Sequence, residues 1–498
     1  MLTLQCPAIV DANSSTSLVA DLQEEYANGS LTDVEFVWTF PDGSQQQGAS
    51  VSQLISERTE VNVSACYDPF ASLNNRVEWT LSDRHRMGFG RAATGGTNQF
   101  KIVTNPAPTG PGTFEDILKN AQSGDFIIFD PSSSVTTYDV FWSNNNDARP
   151  PANVTICGAL PNGQFVTLRS RNTDFRSVIR WSNGNGIMRN IYIDNDQNQA
   201  TAIGAGTGQN YWFDNFGIHA PSLDDTLGFG LPNSTNPAQR QDSADLITVS
   251  RYKVIDLAGA RAAKGAVMNM DGPSCASNPD YDPAVHGYDA TDQREGRITF
   301  LKTEFAAQER NPSVSGGMAH LIQCWLHDTP AGSRLSGLVV RRGGQAIVEC
   351  SYLDLVDTVV SASGIRADDG TFVTPANPAA RPAACPEAGQ IFLDGNIYRQ
   401  ITNNSWSTTP LIGSGNITTG GNGEIIEGKA NWSSANVQPF NIDYDYQEWL
   451  DKPLTPNNID IEAGPDFDSS DICSTAMCTI NVRNDPDPTL SCENSLWN

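Results

Sequence analysis

Several things are scarce in this chain of 498 residues, and each scarcity removes a class of function. Basic residues number 31 against 57 acidic ones, a formal charge of −26. Such a balance repels nucleic acid phosphates and anionic lipid surfaces, so nucleic acid is excluded as a partner. No run of residues approaches the roughly 20 apolar positions of a membrane span, so no membrane span is expected. Histidine occurs five times, at His85, His219, His286, His320 and His327, never beside the G-x-S-x-G setting of a serine hydrolase. The 10 cysteines include no C-x-x-C pair and no zinc-type His spacing. They therefore read as disulfides rather than metal ligands, and point to an oxidising destination.

The opening stretch MLTLQCPAIVDANSS has neither a basic leader nor a long apolar core. With N-x-S/T triplets beginning at Asn13, Asn28, Asn62, Asn153, Asn233, Asn403, Asn416 and Asn431, a secreted, extracellular protein open to glycosylation is expected, released by an already removed signal or by another route. Charged residues make up only 18% of the chain, while Gly, Asn, Ser and Thr are spread throughout. That texture fits an all-β protein rich in turns.

Residues 1–83 hold short alternating segments, DVEFVWTF, TEVNVSACY and RVEWTLSD, around a PDGSQQQG turn, the pattern of a small β-sandwich. They resemble the Ig-like and polycystic-kidney-disease-type modules fused to extracellular enzymes, which act as spacers or bind carbohydrate. Cys6 and Cys66 are a candidate staple, although connectivity is not readable from sequence.

From residue 84 to about 440 short apolar segments recur, several at intervals near 20 to 25 residues: NVTICGAL, GIMRNIYIDN, QNYWFDNFGIHA, DLITVSRYKVIDL, RITFLKTEFAA, MAHLIQCWLHD and QAIVECSYLDL. Alternation within each, at about one solenoid coil per repeat, predicts a right-handed parallel β-helix. IVTNPAPTGPGTFEDILKNAQSGDFIIFD resembles the opening of pectate-lyase-type β-helices: an extended segment, a G-P-G-T turn, a short capping helix and an early strand. NVTICGA, GIMRNIYIDN and QNYWFDNFGIH follow in that family's order. Residues 441–498, acidic and Pro-rich with three cysteines, are expected to form a tail that straps or caps the solenoid.

The resemblance implies a lyase that cleaves a uronate-containing, acidic polysaccharide by calcium-assisted β-elimination. In AAQERNPSVS, Arg310 matches the family's catalytic arginine and Pro312 its following proline, while Ser315 stands where a second arginine belongs. Lys264, with Arg261 as a nearby substitute, matches a second cation, and Trp212 is a candidate for stacking sugar. Ca²⁺ needs several oxygen donors, and the resemblance assigns these to Asp194, Asp196, Asp224, Asp242 and Asp245, which stand in the recurring patterns Asp194-x-Asp196, Asp224-Asp225 and Asp242-x-x-Asp245. Asn215 replaces a family histidine. Each of these residues also has a plain reading as a solvated turn residue. Fold does not fix activity, so a non-catalytic adhesin, filament subunit or virion spike is the alternative. A lyase is expected to be monomeric; a structural protein is expected to form a homo-oligomer or filament.

Overall fold

The computed structural model describes residues 2–5, 9–11, 14–22, 34–67, 69–81, 86–142, 149–172, 177–195, 201–219, 226–230, 244–255, 265–269, 296–306, 311–315, 317–327, 336–341, 345–354, 358–363, 390–394, 396–399, 412–413, 417–419, 425–427, 430–431, 440–450 and 473–483. They fall into two compact units, Met1–Arg84 with Phe467–Asn498, and His85–Asp466. No helix among the described residues is long and apolar enough to cross a membrane.

The small unit is a sandwich. Leu2–Gln5, Ser14–Leu22 and Ser50–Ile55 form an antiparallel sheet of 3 strands. The facing sheet of 5 strands runs Ile9–Asp11, Cys473–Arg483, Thr59–Tyr67, Val34–Thr39, Gln45–Gln47. Alternation decides what faces in: in TEVNVSA, Val61, Val63 and Ala65 join Leu18, Trp38, Ile55 and Ile480 in one apolar cluster, while Asn62 and Ser64 point away.

Two expectations are corrected here. RVEWTLSD supplies no strand: Leu73–Leu81 is an α-helix that buries Asn75, Arg76, Trp79 and Thr80 on one side. A short apolar run fits either period, and here the helical one prevails because Trp79 finds the Phe70 ring at 6.2 Å. The strand that pairs with Thr59–Tyr67 is instead Cys473–Arg483, from the expected tail, antiparallel with Cys473 opposite Cys66. The C-terminal region therefore divides: residues 440–450 pack on the solenoid, while 473–483 complete the sandwich.

The large unit is a parallel β-helix. Each coil gives a short strand to a sheet of 7 parallel strands, and a longer stretch, bent once, to a sheet of 18. The register is continuous: Met188 pairs with Phe213, Phe213 with Val249, Val249 with Phe300, Phe300 with Leu321 and Leu321 with Val348. Inward positions form one core in which Trp181, Tyr211, Phe213 and Phe229 stack along the axis. The bend falls at one aligned corner, where Asn190, Asn215, Arg251, Lys302, Gln323 and Cys350 all have φ between 49° and 58°. The expected capping helix is present as Phe114–Lys119, its N-cap Thr113 hydroxyl accepting from the Asp116 amide, with Phe114 and Leu118 buried against the first coil.

The outward side of the bent sheet's first limb is covered by two chain segments. Residues 86–97 cross the strands, donating from the Phe89, Gly90 and Gly96 amides to the hydroxyls of Thr299, Thr248 and Thr155 at 3.1, 2.9 and 2.9 Å. The sequence MGFGRAATGG allows this close approach. A Cβ on Gly90 would lie 2.1 Å from the Tyr211 carbonyl oxygen, and one on Gly96 1.9 Å from that of Asp125. Residues 440–450 lie beside them, and Phe440, Tyr444 and Trp449 pack with Met87, Phe89, Leu301, Ile322 and Ile347.

Gly90→Ala is expected to destabilise the solenoid by about 1–3 kcal/mol, because the obstructing atoms are backbone. Urea unfolding checks it. Ile480→Ala is expected to cost the sandwich about 2–5 kcal/mol. Hydrogen exchange should then accelerate in Thr59–Tyr67 and stay unchanged in Gln209–His219.

Candidate functional site

The covered face carries the densest buried charge. Asp214 accepts from Arg189 Nε at 2.9 Å, from Arg251 Nη2 at 2.5 Å and Nε at 3.0 Å, and from the Ser250 hydroxyl at 2.7 Å. All three charged side chains are buried. Register explains the meeting: Arg189, Asp214 and Ser250 are paired in successive strands, and Arg251 is the next corner residue. Two guanidiniums on one carboxylate tie three coils together beneath the covering segments. No substrate reaches them.

Trp212 belongs to the same layer, which corrects its assignment as a sugar platform. It is fully buried, donates Nε1 to the Ser250 hydroxyl at 3.0 Å, and has the Arg189 guanidinium 5.5 Å from its ring centroid. Its outward parity was legible in the sequence; the cover over it was not.

A second buried polar group lies under residues 440–450. His320 Nδ1 meets the Tyr444 hydroxyl at 2.5 Å, its Nε2 meets Glu349 at 2.7 Å, and Thr299 contacts the same hydroxyl at 2.8 Å. Burial lowers the His320 pKa below its ordinary value, although Glu349 acts in the opposite direction. Burial pushes the Tyr444 phenol well above its own. The contacts fasten Tyr444 to the sheet, and nothing in the chain's local sequence pairs position 320 with 444.

The aspartates assigned to calcium divide. Asp194 stands in an outward row of paired positions, Asp139, Arg169, Asp194 and His219, alternating in charge along the axis. Within it Arg169 Nε donates to Asp139 at 2.7 Å, and His219 Nδ1 lies 3.1 Å from Asp194. Asp245 is buried and held by the amide and guanidinium of Arg297, at 2.8, 3.1 and 2.7 Å. Among the described residues neither stands with the several oxygen donors that Ca²⁺ requires. Among the described residues no group of three or more His, Cys, Asp or Glu side chains is placed to hold a metal ion. Asp196, Asp224 and Asp242 lie outside the described residues, as do Arg310, Lys264 and Arg261.

The solenoid's other parallel surface is the outward side of the 7-stranded sheet. Its strands include Leu227–Phe229, Val267–Asn269, Ser313–Ser315 and Ser336–Arg341. Phe229, Met268, Val314 and Leu338 point into the core, so the alternate parity holds Gly228, Val267, Ser313 and Val339, paired across strands. Pro312, buried, leads into Ser313. The Ser313 hydroxyl is buried without a hydrogen-bond partner. Ser315, standing at the position of the missing arginine, pairs with Arg341 on the next strand.

Asp214→Ala is expected to cost about 3–5 kcal/mol, since it strands two buried guanidiniums; thermal denaturation checks it. Burial disfavours the protonated form of His320 in the folded chain, so the unfolded chain binds a proton more readily as pH falls. Its contribution is complete above about pH 6.5 and is lost as pH falls from there towards the lowered folded value. His320→Gln should flatten the acid side of a Tm-against-pH curve.

No family model matches this sequence, and no curated protein matches it. Solved structures do. The chain is similar to a pectate lyase of Bacillus sp. N165 in complex with trigalacturonate, with 13% identity, TM-score 0.39, and coverage of 76% of this chain and 98% of that one. It is also similar to jun a 1, the major allergen from cedar pollen, with 14% identity, TM-score 0.45 and coverage of 80% and 98%. A pectate lyase from Paenibacillus sp. 0602 gives 14% identity, TM-score 0.40 and coverage of 76% and 95%. By its own strand pairings the solenoid is a parallel β-helix.

Proposed function

We propose that this protein is a secreted polysaccharide lyase that cleaves a uronate-containing, acidic polymer by β-elimination, on the outward side of the 7-stranded sheet. The observation that carries the reading is register. Gly228 pairs with Val267, and Val267 with Ser313. The residues three positions ahead of these are Asp225, Lys264 and Arg310. In sequence, one carboxylate and two cations thus precede paired positions of three consecutive strands by the same offset, although the segments between those strands differ greatly in length.

That set suits the chemistry. β-Elimination removes the proton next to the uronate carboxylate; the electron pair forms the carbon–carbon double bond as the bond to the glycosidic oxygen breaks, and the leaving oxygen takes a proton. Charge accumulates on the carboxylate as the proton departs, and fixed cations stabilise it. Arg310, permanently protonated, acts as that stabiliser, with Lys264 beside it and Arg261 binding polymer carboxylates. A chain of charge −26 meets a polyanion only where local cations outweigh the overall repulsion. Asp194 and Asp245 are engaged by His219 and Arg297, so the donors proposed first for calcium are Asp196, Asp224 and Asp242, and no step is assigned to the ion.

Ser315 favours a second reading, in which the groove binds the polymer without cleaving it and the protein acts as an adhesive or filament-forming scaffold.

The test is incubation with a panel of uronate polymers, with calcium or with chelator, following ultraviolet absorbance of the unsaturated product. Product should form, and Arg310→Ala should lower kcat/KM about 100-fold or more while the protein stays folded. Retention on a polymer gel without product would select the binding scaffold. Neither binding nor product on any polymer would sink both readings.

A further inference from the structure

We propose that Cys66 and Cys473 form a cross-strand disulfide, a redox clasp that locks the sandwich around a strand that follows the solenoid in sequence. Thr59–Tyr67 and Cys473–Arg483 run antiparallel with Cys473 directly opposite Cys66. Directly opposed residues in an antiparallel pair have Cα atoms about 4.5 or 5.5 Å apart. Both separations lie inside the roughly 4.4–6.8 Å that a disulfide spans without moving backbone.

Both positions are on the wetted side of the sheet. Cys66 alternates with the buried Val61, Val63 and Ala65 and is itself half-buried. Cys473 has the parity of Met477, which is 62% exposed. Cys478, opposite Val61, has the other parity. The described cysteines of the solenoid are of another kind: Cys157, Cys324 and Cys350 are buried and not in disulfides, and burial pushes the Cys324 thiol up to about 12, which leaves it inert. The sequence alone offered Cys6 for Cys66; the register supplies a facing partner instead.

The clasp has a purpose in this topology. Cys473–Arg483 lies between Ile9–Asp11 and Thr59–Tyr67, and without it both neighbours lose a ladder and the core loses Ile480. Its covalent tie runs through the entire solenoid, so a direct bond shortens that connection to one residue pair. Formation is balanced by thiol–disulfide exchange. The two thiols give up two protons and two electrons to a small-molecule disulfide oxidant, which leaves as two thiols.

The test uses the full chain purified from an oxidising medium. Free thiols are alkylated without reductant, the protein is digested, and peptides are mapped by mass spectrometry. A linked peptide pair containing Cys66 and Cys473 is expected. Dithiothreitol should lower the Tm of the wild-type sandwich by several degrees, and Cys473→Ser should show the lowered Tm with no response to the reductant. The wild-type map needs no variant, so a Cys473→Ser chain that fails to fold leaves the decision intact. Cys66 linked to Cys6 or to any other cysteine, or Cys66 and Cys473 both alkylated, overturns the proposal.

Discussion

Six consecutive coils of the solenoid turn the same corner in one residue, and that residue takes a left-handed backbone conformation. Asparagine tolerates this conformation and most other side chains pay for it, by roughly 1–2 kcal/mol each. The early coils use Asn190 and Asn215, stacked so that one amide donates to the other at 2.7 Å. Later coils use Arg251, Lys302, Gln323 and Cys350 instead. Each of these is engaged elsewhere: Arg251 on Asp214, Lys302 over the Trp449 ring, Gln323 on the Trp449 carbonyl, Cys350 on the Leu450 carbonyl. The corner ladder therefore changes partner midway, from its own amides to a covering segment, and the cover becomes part of what holds the coils in register.

That arrangement decides which face is free. A sheet whose outward side carries Arg189, Asp214, His320 and Glu349 looks like an active surface in a list of residues. Two segments lying across it turn those groups into fastenings, satisfied and dry. The 7-stranded sheet differs on its outward parity, where small residues, Gly228 and Ser313, stand in place of the charged groups of the covered face. The groups that fasten the coils therefore sit on one side of the solenoid, and the proposed site is placed on the other.

Much of the fold was legible because its signals are local. Alternation in GIMRNIYID and QNYWFDNFGIH marked inward and outward positions, and TFEDILKN carried its own cap in Thr113 and Asp116. RVEWTLSD misled because eight residues cannot separate a period of two from one of 3.6. The glycines of MGFGRAATGG were visible as glycines, but their reason, backbone pressed against Tyr211 and Asp125, involves residues far away in sequence. Trp212 was rightly read as outward-facing and wrongly read as exposed, since parity says which side of a sheet a residue takes and not what lies over that side.

By itself the sequence determined the class of structure, through the period of its apolar residues and the turn residues between them, and it determined which chemistry is available, through the sign and type of its charged groups. Only the tertiary structure decided which groups meet: Arg189 and Arg251 on Asp214, His320 with Tyr444, Cys66 opposite Cys473, and the strand that closes the sandwich. The reason is physical. Periodicity is written in neighbouring residues, whereas a parallel solenoid and a sandwich closed by a distant strand are built from pairings between coils, whose partners the intervening chain lengths do not specify.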